Sequence, residues 1–378
     1  MTFAFGLRDL GRQARFLAVA AALLATGVAE GLYRSGLTDR LEYLYSDFWH
    51  RLAGQRYTPA YTALVSIDDP SLNARPDEPL AFWTPHFAKA LETLQAAGVR
   101  VVAIDFIFSG SPERWIAKLG LMAREASRDY DRPFREQINH GNVLLSGFRV
   151  GTGKSANDFV LPSPDYLLAL PDLDMAAHIG LANLRDDADG TVRRFALAEA
   201  GGDFVDKEGL PRWAFGPLTA LRAVRQDAHG AVGNFGGRSI AATAELPIAF
   251  AGPPGTFRAV SFEKLLRPDA LDLPDVKALA GKVVVLGAGY AGVNDVHPTP
   301  YSTSIGGANA LMSGSEIQAN IVETLLAGRF IDATPAAVRL AVFALVFGTL
   351  AVGGVRLPPW RALTLARIFH ESRSAEPP

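Results

Sequence analysis

GVRVVAIDFIF, residues 98–108, decides the fold. Val101 to Phe108 is apolar on both faces apart from Asp105, the pattern of a strand buried inside a parallel sheet rather than one with a wet side. The segment before it begins like a helix. Thr84 stands as N-cap with Pro85 at the first helical position, Phe87, Leu91 and Leu94 form one apolar face, and Gly98 closes it. Earlier still, ALVSI at 63–67 is a short apolar run that stops at Asp68-Asp69-Pro70, a strand running into a loop. Strand, helix and strand make a βαβ unit, and the apolar runs Val143–Phe148 and Lys282–Leu286 extend the sheet, the first of them after a helix-like stretch that ends near Gly141. The expected fold is therefore α/β: a largely parallel sheet covered by helices. Residues 178–262 read differently, because an Asp189-Gly190 turn between two short apolar runs signals a hairpin and a helix around Trp213–Val224 follows. This part is expected to be an antiparallel edge and insertion.

Outward from the sheet, both ends of the chain are apolar. Phe16–Leu32 carries Glu30 as its only charge, and Ala336–Val355 carries only Arg339, close enough to its start for the long side chain to reach an interface. The second stretch ends at Arg356, Pro358, Pro359, Trp360 and Arg361, where prolines stop a helix and Trp and Arg suit an interface. Arg8, Arg12 and Arg15 flank the first stretch, and Arg356, Arg361, Arg367 and Arg373 follow the second. Cationic flanks face the cytoplasm, so the expected order is a cytoplasmic start at 1–15, a transmembrane helix at 16–36, an exported domain at 37–334, a transmembrane helix at 335–356 and a cytoplasmic tail at 357–378. Two rival readings stand beside this one: each stretch as a buried core helix, and the first as a cleaved signal peptide ending at Gly27-Val28-Ala29. Between the first stretch and the sheet, Arg40–Leu52 is amphipathic, with Leu41, Leu44, Phe48 and Leu52 on one face. It joins the first span to the sheet or lies as a solvated surface helix.

Composition removes several functions. The 37 Lys and Arg nearly cancel the 39 Asp and Glu, which leaves no basic field for nucleic acid. The chain has no cysteine, so disulfides, thiolate zinc sites, iron-sulfur ligation and a cysteine nucleophile are excluded together. Gly287-Ala288-Gly289-Tyr290-Ala291-Gly292 matches GxGxxG after a strand, but Pro298 and Pro300 deny it the helix that a dinucleotide site needs. GTGKS at 151–155 lacks the first glycine of a phosphate loop, and GGDF at 201–204 lacks the acidic fourth letter of a cyclase motif; both read as turns. Hydrolase and kinase motifs are missing. No catalytic residue, cofactor or metal is expected.

What remains is a candidate ligand pocket. Asp68 and Asp69 follow one strand, Asp105 lies late in the next, and Gly287, Asp295, His297 and Thr299 follow a third. In an open parallel sheet the carboxyl ends of the strands border the ligand crevice, so these groups could converge there on a hard cation or a cationic ligand. The competing reading makes the aspartates caps of helices and turns, and His297 a satisfied histidine beside Pro298. Ser313 and Glu316 have capping-box spacing, Ile317, Ile321 and Leu325 line one face, and Gly328 stops the helix before the second span.

LVSIDDPSL at 64–72, GVRVVAIDFIF at 98–108, GKVVVLGAGYAGVNDVHPTPY at 281–301 and SGSEIQANIVETLLAGRFI at 313–331 resemble the CHASE family, type two: the cyclases/histidine-kinases-associated sensory extracellular domain of bacteria. Asp295, His297, Pro298, Thr299, Pro300, Glu316, Ile317, Ala319 and Asn320 match its D-x-H-x-T-P element and the E-I-x-A-N helix core that follows. The resemblance implies an exported sensor between membrane helices, with an undefined small-molecule or protein ligand and with Glu316 and Asn320 as signal-coupling positions. Members commonly continue into more spans and an output cyclase or kinase. Here one span and 23 residues follow, so the expectation is a membrane-anchored sensor without an output enzyme of its own. A truncated receptor and an exported nucleotide-binding enzyme are the alternatives. The expected partners are the lipid bilayer, the ligand, and a second copy or a separate signalling protein. Nucleic acid is not among them. AFWTPHF at 81–87 keeps only part of a Pro-Trp-Pro-Arg-like element of the family.

Overall fold

The computed structural model describes residues 3–120, 129–150, 159–198, 213–302 and 310–356. GTGKS, GGDF and the tail from Leu357, with its prolines and Trp360, lie outside the described residues. The chain forms two compact units, one of residues 1–46 with 332–378 and one of residues 47–331.

The first unit is built on two long helices, α1 (Phe3–Arg34) and α10 (Ala336–Arg356), which pack side by side. Both are long and apolar enough to cross a membrane by length and composition. Arg339 does not reach away from the helices as its position suggested. Its guanidinium donates twice to the Glu30 carboxylate, at 2.7 and 2.6 Å, and lies 3.9 Å from the centre of the Tyr33 ring. Arg34 adds a third bond to Glu30 at 2.7 Å. An apolar surround leaves a charge with few partners, so Glu30 and Arg339, the lone charges of the apolar stretches 16–32 and 336–355, pair with each other.

α2 (Asp39–Ala53) follows α1, and its Leu41, Leu44, Phe48 and Leu52 are all exposed. The second unit begins at Asp47 and holds a seven-stranded sheet. In chain order its elements are β1 (Thr62–Ile67), α3 (Asp69–Asn73), α4 (Thr84–Ala96), β2 (Val101–Asp105), α5 (Pro112–Leu119), α6 (Arg132–Asn139) and β3 (Val143–Arg149). β4 (Phe159–Val160), β5 (Ile179–Leu181), β6 (Arg194–Ala196) and α7 (Phe215–Ala223) come next. β7 (Val232–Phe235), β8 (Arg238–Ala241), β9 (Glu245–Pro247), β10 (Val260–Ser261), α8 (Phe262–Leu266) and β11 (Val283–Ala288) follow. β12 (Val296–His297), β13 (Met312–Ser313) and α9 (Gly314–Leu326) close the unit. The sheet order is β10-β1-β11-β2-β3-β4, with β5 also on β3; every ladder is parallel except β3–β4. Two apolar layers sandwich it. Val102, Ile104, Val284 and Leu286 face α4 and α6, while Val101, Ala103, Val283 and Val285 face α7 and α9, which is why these strands are apolar on both faces.

Four local readings change. Thr84 does not cap α4: Trp83 holds the cap position, and the Thr84 hydroxyl donates to the buried Asp131 at 2.5 Å. That carboxylate also receives the hydroxyls of Ser111 and Tyr166, a better use of Thr84 than a backbone cap open to water. The strand from Val101 ends at Asp105, three residues short of Phe108, because Phe106 and Phe108 turn into an aromatic cluster with Phe87 and Phe134. The turn at Asp189-Gly190 forms, with Gly190 at φ 76° and one antiparallel bridge from Arg185 to Arg194, but beyond that bridge its arms part: β5 joins the main sheet in parallel and β6 pairs with β9. Arg193 spends its guanidinium on Asp47, Asp187 and Asp189, fixing the turn from one side. The capping box at α9 is one-sided. Ser313 accepts from the Glu316 amide at 3.2 Å, whereas the Glu316 carboxylate turns away to the 255–257 loop.

Candidate functional site

Strand exits set the position of the site. β1 and β2 feed α4 and α6 on one face of the sheet, while their shared neighbour β11 feeds α9 on the other. Where adjacent strands exit to opposite faces a crevice opens at their carboxyl ends. The register places Asp105 directly beside Gly287 in that crevice, and Ser66 on the other side of Gly287.

The crevice is walled by close approaches that only glycine permits. A Cβ on Gly287 would lie 1.8 Å from the Ser315 hydroxyl, so the first turn of α9 rests on the β11 backbone. A Cβ on Gly314 would lie 2.2 Å from an Asp295 oxygen, and the Gly314 amide donates to the Asp295 carbonyl at 3.0 Å. The β12–β13 ladder, pairing Val296 with Ser313 and His297 with Met312, holds this loop against the helix start. Asp295 and Asp105 thus converge on one cavity of about 280 Å³, together with Phe106, Phe148, Tyr290 and Gln318.

Charge in the cavity is frustrated. Burial pushes the Asp105 carboxyl up to about 7, the Asp295 carboxylate adds to this, and the Ser315 hydroxyl and His297 oppose it. His297 bonds to Asp295 at 2.9 Å, and that bond raises its own pKa above the ordinary imidazole value despite partial burial. His297 thus offsets part of the charge that Asp295 places beside Asp105.

The other named residues have different places. Asp68 caps α3, accepting from the Ser71 amide at 3.1 Å and from the Ser71 and Ser261 hydroxyls, and does not line the cavity. Asp69 accepts from the Ala291 amide at 2.9 Å, which pins the glycine-rich loop to the exit of β1. That loop leads into β12 without a helix, and Pro298 and Pro300 follow β12 directly. Thr299 is buried, and its hydroxyl has no partner among the described residues.

Glu316 and Asn320 sit on the buried polar side of α9. Glu316 accepts from the Gly255 and Phe257 amides, and burial raises its pKa. Asn320 accepts from the Ala251 amide at 2.8 Å and Thr324 from the Ala249 amide at 3.1 Å. Glu323, which sequence reasoning passed over, accepts from the amides of Ala60, Tyr61 and Thr62. Sequence reasoning also missed Phe106, Phe148, Tyr290, Ser315 and Gln318; for Phe148 the signal was its place as the last residue of an apolar run.

Among the described residues no group of three or more His, Cys, Asp or Glu side chains is arranged to hold a metal ion. Comparison with curated proteins and with solved structures returns no match. A family model described as CHASE2 domain matches residues 18–355, nearly the whole chain, including β1, β2, β11 and α9 and therefore every wall of the cavity. The chain belongs to the CHASE2 family of extracellular sensory domains.

Proposed function

We propose that the protein is a membrane-anchored receptor whose exported domain, residues 37–334, senses a small organic cation at the Asp105–Asp295 cavity. Family membership supports sensing, and the helices at 3–34 and 336–356 with their cationic flanks support anchoring with both ends in the cytoplasm. The observation that carries the ligand class is the lining itself: two carboxylates beside Phe106, Phe148 and Tyr290. Carboxylates attract a cation, and aromatic faces bind its charge and its apolar body together. α9 forms one wall and continues in sequence through residues 327–335 to α10, so its displacement has a covalent route to the second span. The ligand shifts this element only if it binds the two positions unequally. The signal then passes to a cytoplasmic effector, on a partner chain or on a continuation of this one.

The test is calorimetric titration of the full chain in lipid nanodiscs with phenethylammonium chloride against sodium chloride. Saturable binding that weakens in Asp105→Asn and Asp295→Asn supports the reading. Heats identical to the salt control, or binding unchanged in both variants, overturn the cation assignment.

A further inference from the structure

At the opposite edge of the sheet, where β2 and β3 begin, a second cavity of about 380 Å³ lies between the sheet and the end of α7. Its polar lining is Arg100, Asn142, Arg222, Arg225, Gln226 and Asp227: three guanidinium groups against one carboxylate. None of these residues belongs to the acidic cavity.

The three arginines are held in different ways. Arg222, in the last turn of α7, donates to the Gly141 carbonyl at 3.0 Å, which fixes its guanidinium beside the start of β3. Arg100 immediately precedes β2, with its backbone amide on the Lys282 carbonyl at 2.8 Å. Arg225 closes α7. Its amide bonds to the Arg222 carbonyl and that of Gln226 to the Leu221 carbonyl, the two crossed bonds that end a helix on a left-handed residue. Glycine is the favoured residue there, yet this chain carries an arginine at φ 57°. Neither Arg100 nor Arg225 has a side-chain hydrogen bond or ion pair among the described residues.

The helix end does not explain the cluster. Cations do suit the carboxyl end of a helix, and that accounts for Arg222. The Leu221 and Arg222 carbonyls of that end, however, are already taken by the crossed bonds, and Arg225 stands beyond them. Asp227 accepts from the His229 amide at 2.9 Å, and Gln226 is occupied on both sides of its amide with Asn234. A strained arginine and an unpaired one facing a concavity beside a third are what a site for negative charge requires.

We propose that this cavity is a second binding site, for a small doubly charged oxyanion of the phosphate or dicarboxylate type. The guanidinium forks of Arg100 and Arg225 grip the oxygens, Arg222 supplies a fixed third charge, and Asn142 offers an uncharged donor. The site stands apart from the proposed cation site and does not depend on it.

Thermal unfolding of the full chain in nanodiscs, in sodium phosphate and in sodium succinate against sodium chloride at matched ionic strength, tests this. The unfolding midpoint is expected to rise saturably with a dianion and not with chloride. Two variants guard the result. Arg225→Gly removes a guanidinium while installing the residue that the left-handed position favours, so its midpoint in chloride should equal or exceed that of the unmodified chain. Its apparent dianion affinity should nevertheless fall by about tenfold or more, the scale of one lost charge-assisted bond. Arg100→Gln should weaken binding likewise, whereas Asp105→Asn should leave it unchanged. No saturable shift with either dianion, or an unchanged shift in both arginine variants, overturns the proposal.

Discussion

Asp105 ends a strand whose other residues are wholly apolar, and that isolation is what made it visible in the sequence and what shifts its chemistry. With its carboxyl raised to about 7, the folded protein holds a proton there that the unfolded chain has already released above an ordinary carboxyl pKa of about 4. The folded state binds more protons across that window, so this group's contribution to stability falls as pH rises from about 4 to about 7 and is level above it. Asp105→Asn should flatten that slope and raise the urea midpoint at pH 8, read by denaturation across a pH series. His297 acts in the same direction, since its raised pKa gives stability present at low pH and lost as pH climbs through the folded value. Gly287 is the second residue with a specific consequence. Gly287→Ala must displace Ser315 from the β11 backbone and should cost about 1–3 kcal/mol, and adding Ser315→Ala should recover part of it, measured as a double-mutant cycle. Strand-end residues such as Asp105 and Asp295 were legible because a parallel sheet sends its carboxyl ends to one edge. Ser315 and Gln318 were not: they reach the cavity through the way α9 crosses the sheet, which no local pattern records.

α9 is apolar on one side, as its Ile317, Ile321 and Leu325 spacing foretold, but its other side is buried too. Glu316, Asn320, Glu323 and Thr324 are spent on backbone amides of two loops far apart in sequence, 249–257 and 60–62. An unmet buried amide costs more than a made bond returns, so Glu323→Ala, which orphans the buried Thr62 amide and frees the exposed ones of Ala60 and Tyr61 to water, should destabilise the domain by about 1–3 kcal/mol. Glu323→Gln should cost less, since one carbonyl oxygen still accepts; chemical denaturation of both variants separates the cases. Charged residues on a helix normally read as its wet face, and for that reason Glu323 was passed over. The hairpin closes on a single antiparallel bridge, Arg185 to Arg194, for a related reason. A turn sequence specifies its own bend, but what each arm pairs with depends on strands far away. The pairing of Glu30 with Arg339 across α1 and α10 is a third case in which partners far apart in sequence decide the outcome. Glu30→Ala and Arg339→Ala should each weaken the helix pair, and the exchange Glu30→Arg with Arg339→Glu should restore only part of the loss, because Arg34 then faces a like charge. Unfolding in detergent reads the cycle.

On the scale of the molecule, the α/β class, the apolar ends and the family were all legible, because long apolar runs and buried parallel strands leave strong signals. The order of the strands was not. β1 is the earliest strand of the sheet, yet its two neighbours are β10 and β11, at 260–261 and 283–288. β2 likewise pairs with β11 along one side. A chain emerging amino end first therefore exposes two apolar strands with bare edges until the last third of the domain has followed. Non-local pairing of this kind folds slowly and invites association in the meantime. Chains cut after residue 250 should accumulate as aggregates and bind chaperones, while chains cut after residue 331 should refold, which protease resistance would distinguish. β11 is thus the keystone of assembly as well as a wall of the cavity, so the proposed ligand site is absent from any partly made chain.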